Sequence, residues 1–263
     1  MIKLLPVTSP DEVQLFRDAY RKELTYAQDL NIEENIWESD YSIIRLNDID
    51  VGYVCIDSGK TLWEFYLVKS AWIYSQEIFR FLIAQNYITA AECKTYDYLL
   101  MSLCMDTHKS AEGSAYLFRD YTEADLPALP YSNITYRLAS GDDYNVLSAL
   151  NKIADGVDFF YDLMKEIEQK EVLVFYSGNQ LLGAGTCKMI WDHFNYRDIG
   201  MVVAEGFRKQ GIGTYILLKL KEYCLSNNQI PVAGCWYYHI SSKKTLEKAG
   251  FLSKHRVIRF TFA

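Results

Sequence analysis

The feature that most constrains the fold of this chain is an apolar run that ends in a glycine-bearing loop and continues as a helix. It reads IGMVVAEGFRKQGIGT and spans residues 199–214. The pattern Arg-x-x-Gly-x-Gly is typical of a phosphate-binding turn, because glycines let the backbone approach an anion closely. The free amides and the dipole of the first helical turn favour negative charge. The segment therefore predicts a strand, an anion-binding loop and a helix in succession.

The loop does not match the common nucleotide-binding fingerprints. No Gly-Lys-Ser/Thr closes it, so it is not a P-loop, and Gly-x-Gly-x-x-Gly is absent. Arg208 can fork onto a phosphate oxygen, and Lys209 adds a point charge beside it. An alternative is that Gly211 and Gly213 only form a tight turn, since short glycine motifs recur by chance. The strand before the loop and the helix after it favour the anion-binding interpretation.

Periodicity and turn signals predict two α+β halves joined by the proline-bearing segment YTEADLPALPYSN, residues 121–133. We therefore predict domains at 1–125 and 131–263. In the first half the predicted helices are 9–30, 73–83 and 96–105, and the strands are 42–46, 51–56, 62–68 and 88–93. In the second half the predicted helices are 142–155, 157–169, 212–226 and 242–249. The strands are 172–176, 181–190, 196–203, 232–238 and 256–262, with a turn at 192–195.

The loop resembles the signature of the GCN5-related N-acetyltransferase (GNAT) family. In that family a strand ends in a Val-x-Pro-like segment, and Arg/Gln-x-x-Gly-x-Gly/Ala then cradles the diphosphate of coenzyme A. Val203, Arg208, Gly211 and Gly213 fall on those positions, and Glu205 replaces the usual proline. The resemblance implies a mixed, mostly antiparallel sheet flanked by helices.

A second motif of the family lies downstream and extends the resemblance over residues 134–263. There the family has Asn-x-x-Ala/Ser, followed by a helix that ends in Glu-Lys-x-Gly-Phe. This chain has HISS at 239–242 and EKAGF at 247–251, so Ser242 matches and His239 replaces the asparagine. Many members carry a tyrosine five residues before that phenylalanine, where this chain has Leu246.

The first half resembles the same fold without its chemistry. Its corresponding turn reads VKSAWIYS, residues 68–75, with no Arg-x-x-Gly-x-Gly and with bulky Trp72 in the loop. We interpret it as a degenerate GNAT-like domain in a tandem arrangement. An unrelated α+β domain is the alternative.

The resemblance implies that the second half transfers an acetyl group from acetyl-CoA to an amine of a small molecule or peptide. The residues expected to bind coenzyme A are Val202, Val203, Arg208, Lys209, Gln210, Gly211, Ile212, Gly213, Thr214, His239 and Ser242. Glu205 and His239 are candidate bases, with Asp198 a weaker one, and Tyr238 or Tyr237 is a candidate acid. The amide near Val203 is expected to stabilise the oxyanion.

Composition narrows the class further. The net charge is −7 and no stretch is densely basic, so nucleic acid is not an expected partner. The six cysteines form no C-x-x-C pair and do not cluster with histidines, so we expect no metal. No apolar run approaches 18 residues, and no signal peptide is evident, so we expect a cytoplasmic protein without a membrane span, compatible with a homodimer.

Two other functions remain open from the sequence. One is a catalytically silent coenzyme A or acyl-CoA binding protein, which the missing tyrosine and asparagine favour. The other is a plain interaction module. Binding without turnover would indicate the first, and no binding would indicate the second.

Overall fold

The computed structural model describes residues 1–151, 158–190 and 195–262, which form two compact units. The strands β1 to β14 are, in chain order, Ile2–Pro6, Asp40–Leu46, Ile49–Ile56, Thr61–Leu67, Ala90–Lys94, Ser110–Phe118, Asp120–Tyr121, Ile134–Leu138, Val172–Ser177, Gln180–Met189, Tyr196–Val203, Ile230–Trp236, Phe251–Leu252 and His255–Thr261. The helices α1 to α8 are Gln14–Glu23, Leu30–Trp37, Ser75–Ala84, Tyr98–Thr107, Tyr144–Leu150, Leu163–Glu168, Ile212–Ser226 and Ile240–Lys248.

The first unit contains residues 1–116, 236–238 and 255–263. Its sheet has the order β1-β2-β3-β4-β5-β14-β6. The last strand of the chain, β14, therefore lies beside β5 and pairs with it antiparallel, from Val257 opposite Lys94 to Thr261 opposite Ala90. Phe260 is fully buried in the core of this unit.

The second unit contains residues 117–235 and 239–254. Its main strands follow the order β12-β11-β10-β9-β8, and β7 pairs with β13 in a separate two-stranded ribbon. The long hairpin β9–β10 and its neighbour β11 are antiparallel, while β12 runs parallel to β11. The core between α5, α6 and the sheet is apolar, with Leu147, Phe160 and Val174 buried.

The predicted α+β class, with mixed sheets flanked by helices, is confirmed. The strand 196–203 and the helix 212–226 were predicted with the bounds that the structure has. Most other predicted elements are present with ends shifted by one to three residues.

The predicted single helix 9–30 is wrong. A 3-10 turn at Pro10–Val13 leads into α1, which ends at Glu23, and Leu24 has extended backbone with ψ of 133°. Tertiary hydrogen bonds hold the next residues out of a helix, because the Ala27 carbonyl accepts from Tyr96. Asp29 then caps a separate helix, α2, which the sequence analysis missed.

Two further predictions need correction. The helix predicted at 157–169 begins only at Leu163, where the Asp162 side chain caps it, and the helix predicted at 142–155 is α5, Tyr144–Leu150. Residues 152–157 and most of the predicted turn 192–195 lie outside the described residues. Five strands were not predicted, namely β1, β6, β7, β8 and β13; each is short or carries polar residues that weaken its pattern.

Candidate functional site

The candidate site of the second unit begins where its two parallel strands separate. β11 pairs with β12 only at Tyr196–Ile230, Arg197–Pro231 and Asp198–Val232, although β11 continues to Val203. Past Asp198 the edge of β11 that faces β12 is therefore open along several residues. A gap of this kind gives an extended ligand direct access to backbone hydrogen-bonding groups.

The open edge of β11 presents the backbone of alternate residues. Ala204 donates its amide to the Leu182 carbonyl of the β10 side at 3.0 Å. In an antiparallel ladder every second residue bonds the same neighbour, so Val202 also bonds β10, whereas Met201 and Val203 point the other way. Val203 was among the predicted site residues and Met201 was not. Only the register between β10 and β11 shows which way the backbone groups of Met201 point.

The Val202 side chain does not face this gap. It is buried in the apolar core on the side of α5 and α6. The Met201 side chain lies on the opposite face of β11, against α7: a Cβ built on Gly213 would lie 3.2 Å from its sulfur. Close packing of α7 on β11 thus explains why glycine stands at position 213.

The loop after β11 has a tightly specified backbone. A 3-10 turn at Glu205–Phe207 follows the strand, and Arg208 donates from Nε to the Val203 carbonyl at 3.2 Å. Lys209 has φ of 61° and Gly211 has φ of 85°, both in the left-handed region. Glycine adopts that region without steric cost, so the backbone conformation at position 211 explains why a glycine is found there.

The first amides of α7 are available to an anion. The first hydrogen bond of the helix joins the Tyr215 amide to the Gly211 carbonyl at 3.0 Å. The amides of Ile212, Gly213 and Thr214 therefore have no acceptor within the helix. The Ile212 and Thr214 side chains are buried, so these two residues present backbone rather than side chain. Arg208 and Lys209 are exposed beside them.

The candidate proton-transfer residues lie at the carboxyl ends of the two parallel strands. Glu205 is exposed and opens the turn that follows β11. His239 is half-buried at the N-terminus of α8, which follows β12, and Ser242 is in the first turn of that helix. Carboxyl ends of neighbouring parallel strands meet at one edge of a sheet, so Glu205 and His239 share an edge. Asp198 lies at the paired end of β11, about 16 Å from Val203 at the usual rise per residue.

The two candidate tyrosines have different surroundings. Tyr237 stacks on Tyr116, with ring centroids 4.5 Å apart, and its ring lies against Gly113. The Arg256 guanidinium lies over the Tyr116 ring, 4.4 Å from the ring centroid. Tyr237 therefore packs within the first unit through one face of its ring, although it is 42% exposed, and Tyr238 is 63% exposed. Leu246 is buried in α8.

In the first unit, the Trp72 side chain lies in the turn that corresponds to the glycine loop of the second unit. Trp72 donates from its indole nitrogen to the Leu67 carbonyl at 2.9 Å, five residues back, as Arg208 does to Val203. A 3-10 helix at Lys69–Tyr74 runs directly into α3, and Ser75 has a right-handed φ of −58° where the second unit has its left-handed glycine. The start of α3 is therefore continuous with helical backbone and offers no separate cradle of amides.

The gap between the parallel strands of the first unit is also filled. β4 and β5 pair at Thr61–Ala90 and Leu62–Ala91 only. Beyond that point the buried ammonium of Lys94 donates to the Trp63 carbonyl at 3.4 Å.

A polar network continues from that ammonium. Lys94 also donates to Gln28 Oε1 at 2.6 Å, and Gln28 donates to Glu64 Oε1 at 2.6 Å. Glu64 accepts a further hydrogen bond from Arg17 at 3.1 Å, and the nearby Arg17 and Lys94 charges hold its pKa below the usual range despite full burial. Lys94, Glu64 and Arg17 thus each have a partner, which offsets the cost of burying their charges.

Neither a metal centre nor a membrane-spanning helix is found in the described residues. No group of three or more His, Cys, Asp or Glu side chains in that part of the chain is arranged to hold a metal ion. No helix there is long and apolar enough to cross a bilayer.

The second unit combines separated parallel strands, a glycine loop and a helix with free amides, an arrangement that the sequence analysis expected of a GNAT-like domain. Comparison with protein families agrees: residues 144–251 match the model "Acetyltransferase (GNAT) family" and residues 9–121 match "Acetyltransferase (GNAT) domain". The chain belongs to the GNAT family, with two such domains in tandem. No match was found among proteins with curated descriptions.

Solved structures support the same fold. A GNAT-family acetyltransferase from Colwellia psychrerythraea is 21% identical, with 99% of this chain and 100% of that one covered and a TM-score of 0.90. A tandem GNAT protein from the clavulanic acid biosynthesis pathway is 15% identical, with 99% and 98% covered and a TM-score of 0.56. A GCN5-related N-acetyltransferase from Sphaerobacter thermophilus is 11% identical, with 99% and 95% covered and a TM-score of 0.61. At these identities the likeness concerns the fold.

Proposed function

We propose that the second unit transfers an acetyl group from acetyl-CoA to an amine acceptor. The observation that carries the proposal is the continuous path formed by the open edge of β11, the left-handed turn at Gly211 and the free amides that begin α7. Acetyl-CoA supplies the activated acyl group and the thiolate leaving group. The residues present fit it, since a diphosphate needs amide donors and cations and an extended thiol arm needs free backbone edges.

Each part of the path has a task in this proposal. The amides of Ile212, Gly213 and Thr214 bind the diphosphate, and exposed Arg208 and Lys209 neutralise its charge. The open backbone of Met201 holds and orients the thiol arm, since the Val203 carbonyl is already bonded to Arg208. An amide at Val203 that is fixed by the sheet is a preorganised donor for negative charge that develops on the acyl oxygen.

The proton of the amine goes to a side chain at the carboxyl edge of the strands. We propose Glu205 as the base, because it follows the open edge of β11 by two residues and has a solvent-exposed carboxylate. His239 is the alternative base at the same edge. Tyr238 is proposed as the acid for the thiolate, since Tyr237 is used in packing and Leu246 has no proton to give.

We propose that the first unit does not bind the coenzyme. The Trp72 indole satisfies the strand-end carbonyl, the helix start is closed by the 3-10 turn, and Lys94 bridges the strand gap. The acceptor is an amine, in keeping with the family, and the net charge of −7 favours a cationic one through long-range attraction.

The test is calorimetric titration with acetyl-CoA, followed by a thiol-release screen against small amines, amino acids and a lysine peptide. We expect one molecule bound per chain and turnover with at least one acceptor. Glu205→Gln should lower kcat by about 10²- to 10⁴-fold while leaving the acetyl-CoA affinity unchanged. The same loss in His239→Gln, with Glu205→Gln fully active, would transfer the role of base to His239.

The remaining outcomes discriminate between classes of function. Binding without turnover for the whole panel would contradict the transferase proposal and favour a silent coenzyme-binding protein. No binding at all would remove the coenzyme assignment. Two molecules bound per chain would contradict the proposed degeneracy of the first unit.

A further inference from the structure

The segment that connects β7 to β8 passes along the outer side of α7 and reaches the glycine loop. Near its start, the buried Lys221 ammonium of α7 donates to the Thr122 carbonyl at 3.0 Å and to the Ala249 carbonyl at 2.9 Å. Between residues 123–126 and the second half of α7 lies a cavity of about 640 Å³. We call residues 122–133 the strap.

The far end of the strap contacts the loop directly. The Tyr131 hydroxyl donates to Gln210 Oε1 at 2.5 Å, and the Tyr131 ring lies edge-on to Phe207 with centroids 5.6 Å apart. Leu129 lies over Gly211, since a Cβ built there would be 3.0 Å from Leu129 Cδ2. The strap therefore contacts the loop at Phe207, Gln210 and Gly211.

Gln210 carries this contact into the loop backbone. Its side-chain amide nitrogen donates to the Gly206 carbonyl at 3.1 Å while its oxygen accepts from Tyr131. The residue stands between two left-handed positions, Lys209 at φ 61° and Gly211 at φ 85°. A non-glycine residue in that region costs energy and keeps its conformation only where its surroundings hold it.

We propose that Tyr131 is a positioning residue for the diphosphate of the coenzyme, acting through Gln210. This inference rests on the proposed function. The Tyr131–Gln210 hydrogen bond fixes the side chain that spans the loop from position 210 to position 206. The loop then presents the amides of the α7 N-terminus in one arrangement before the ligand arrives. Preorganisation of this kind raises affinity by reducing the ordering that binding requires.

The central variant is Tyr131→Phe, which removes the hydroxyl and keeps the ring against Phe207. The hydrogen bond is neutral, so we expect acetyl-CoA to bind about 3- to 10-fold more weakly. The KM for acetyl-CoA should rise by the same factor and kcat at saturation should not change. Tyr144→Phe is the matched control, because Tyr144 is exposed at the start of α5 and its hydroxyl has no hydrogen bond within the described residues. It should bind like the wild type.

A double-mutant cycle separates this role from a general effect on stability. Gln210→Leu removes the partner, so adding Tyr131→Phe to it should cost no further affinity. With acetyl-pantetheine, which carries no diphosphate, Tyr131→Phe and the wild type should turn over equally. Hydrogen exchange of the amides in 205–214 should be faster in Tyr131→Phe without ligand, while the unfolding midpoint stays within about 2 °C of the wild type.

The outcomes decide between the two proposals. Wild type that does not bind acetyl-CoA overturns the proposed function and the diphosphate role with it. Wild type that binds, with Tyr131→Phe equally tight, overturns the role of Tyr131 alone. Additive losses in the double variant, or the same loss with acetyl-pantetheine, also overturn it, because the residue would then act on something other than Gln210 and the diphosphate.

Discussion

Replacing Gly211 by alanine tests the loop with the smallest possible change. Its φ of 85° costs a residue with a Cβ about 1–2 kcal/mol. The new methyl group would lie 3.0 Å from Leu129 Cδ2, the end of a side chain that can give way by a few tenths of an ångström. The more restricted unfolded chain returns about 0.4–1 kcal/mol. The net loss in the free energy of unfolding should be about 1 kcal/mol, which leaves the unit folded.

The effect on coenzyme binding should exceed the effect on stability. If the loop relaxes so that one amide no longer points at the diphosphate, a hydrogen bond to a charged group worth about 1.5–3 kcal/mol is lost. That corresponds to about 10- to 100-fold weaker acetyl-CoA binding by calorimetry.

Gly206→Ala is the matched control for this experiment. Gly206 lies in the same loop, has no left-handed φ and would place its Cβ in open space. Both the stability and the affinity of this variant should equal those of the wild type. Unchanged affinity in Gly211→Ala, or an equal loss in Gly206→Ala, would refute the assignment of the loop.

Three further predictions concern the two units. Phe260→Ala should destabilise the first unit by about 3–5 kcal/mol in denaturant unfolding, because removing a fully buried ring leaves a cavity. If the second unit were destabilised instead, the pairing of β14 with β5 would be contradicted. Arg208→Ala should weaken acetyl-CoA binding by about 10- to 100-fold, and Trp72→Phe should leave it unchanged; wild-type affinity in the first variant would contradict the proposed role of Arg208. The Arg137 guanidinium holds the pKa of Asp143 well below its usual range, so its contribution to stability is present above about pH 4 and is lost as the pH falls further. Asp143→Asn should flatten the acid side of the stability profile, and an unaltered profile would show that the pair contributes nothing.

Local signals in the sequence were sufficient for the strand–loop–helix segment. The bounds of β11 and α7 follow from β-branched residues, glycines and helical periodicity within about 30 consecutive positions, and no distant residue changes them. The free amides at the start of α7 follow from helix geometry alone. For this reason the strand, the loop and the helix could be predicted from the sequence, while phosphate binding by the loop stays a prediction.

Other features depend on residues that are far apart in the chain. Gln28 sits in a break between α1 and α2 because Lys94, 66 residues away, and Glu64 take its hydrogen bonds, and periodicity cannot reveal that break. Tyr131 and Gln210 are 79 residues apart, so neither looks exceptional in the sequence. The direction of the Met201 backbone depends on the register between β10 and β11, which is a tertiary property.

The position of β14 also has a consequence for biosynthesis. Arg259 of that strand is bonded to Glu92 of β5, 167 residues earlier in the chain. A ribosome that has made β1 to β5 has therefore not yet made another strand of the same sheet. Cys93 still lacks its cross-strand partner Ile258, and Phe79 lacks the ring of Phe262 that packs edge-on against it. Closing so long a loop is slow compared with local pairing. The nascent first unit consequently has an unpaired β5 edge during translation, the period in which a chaperone would protect it from pairing with another chain.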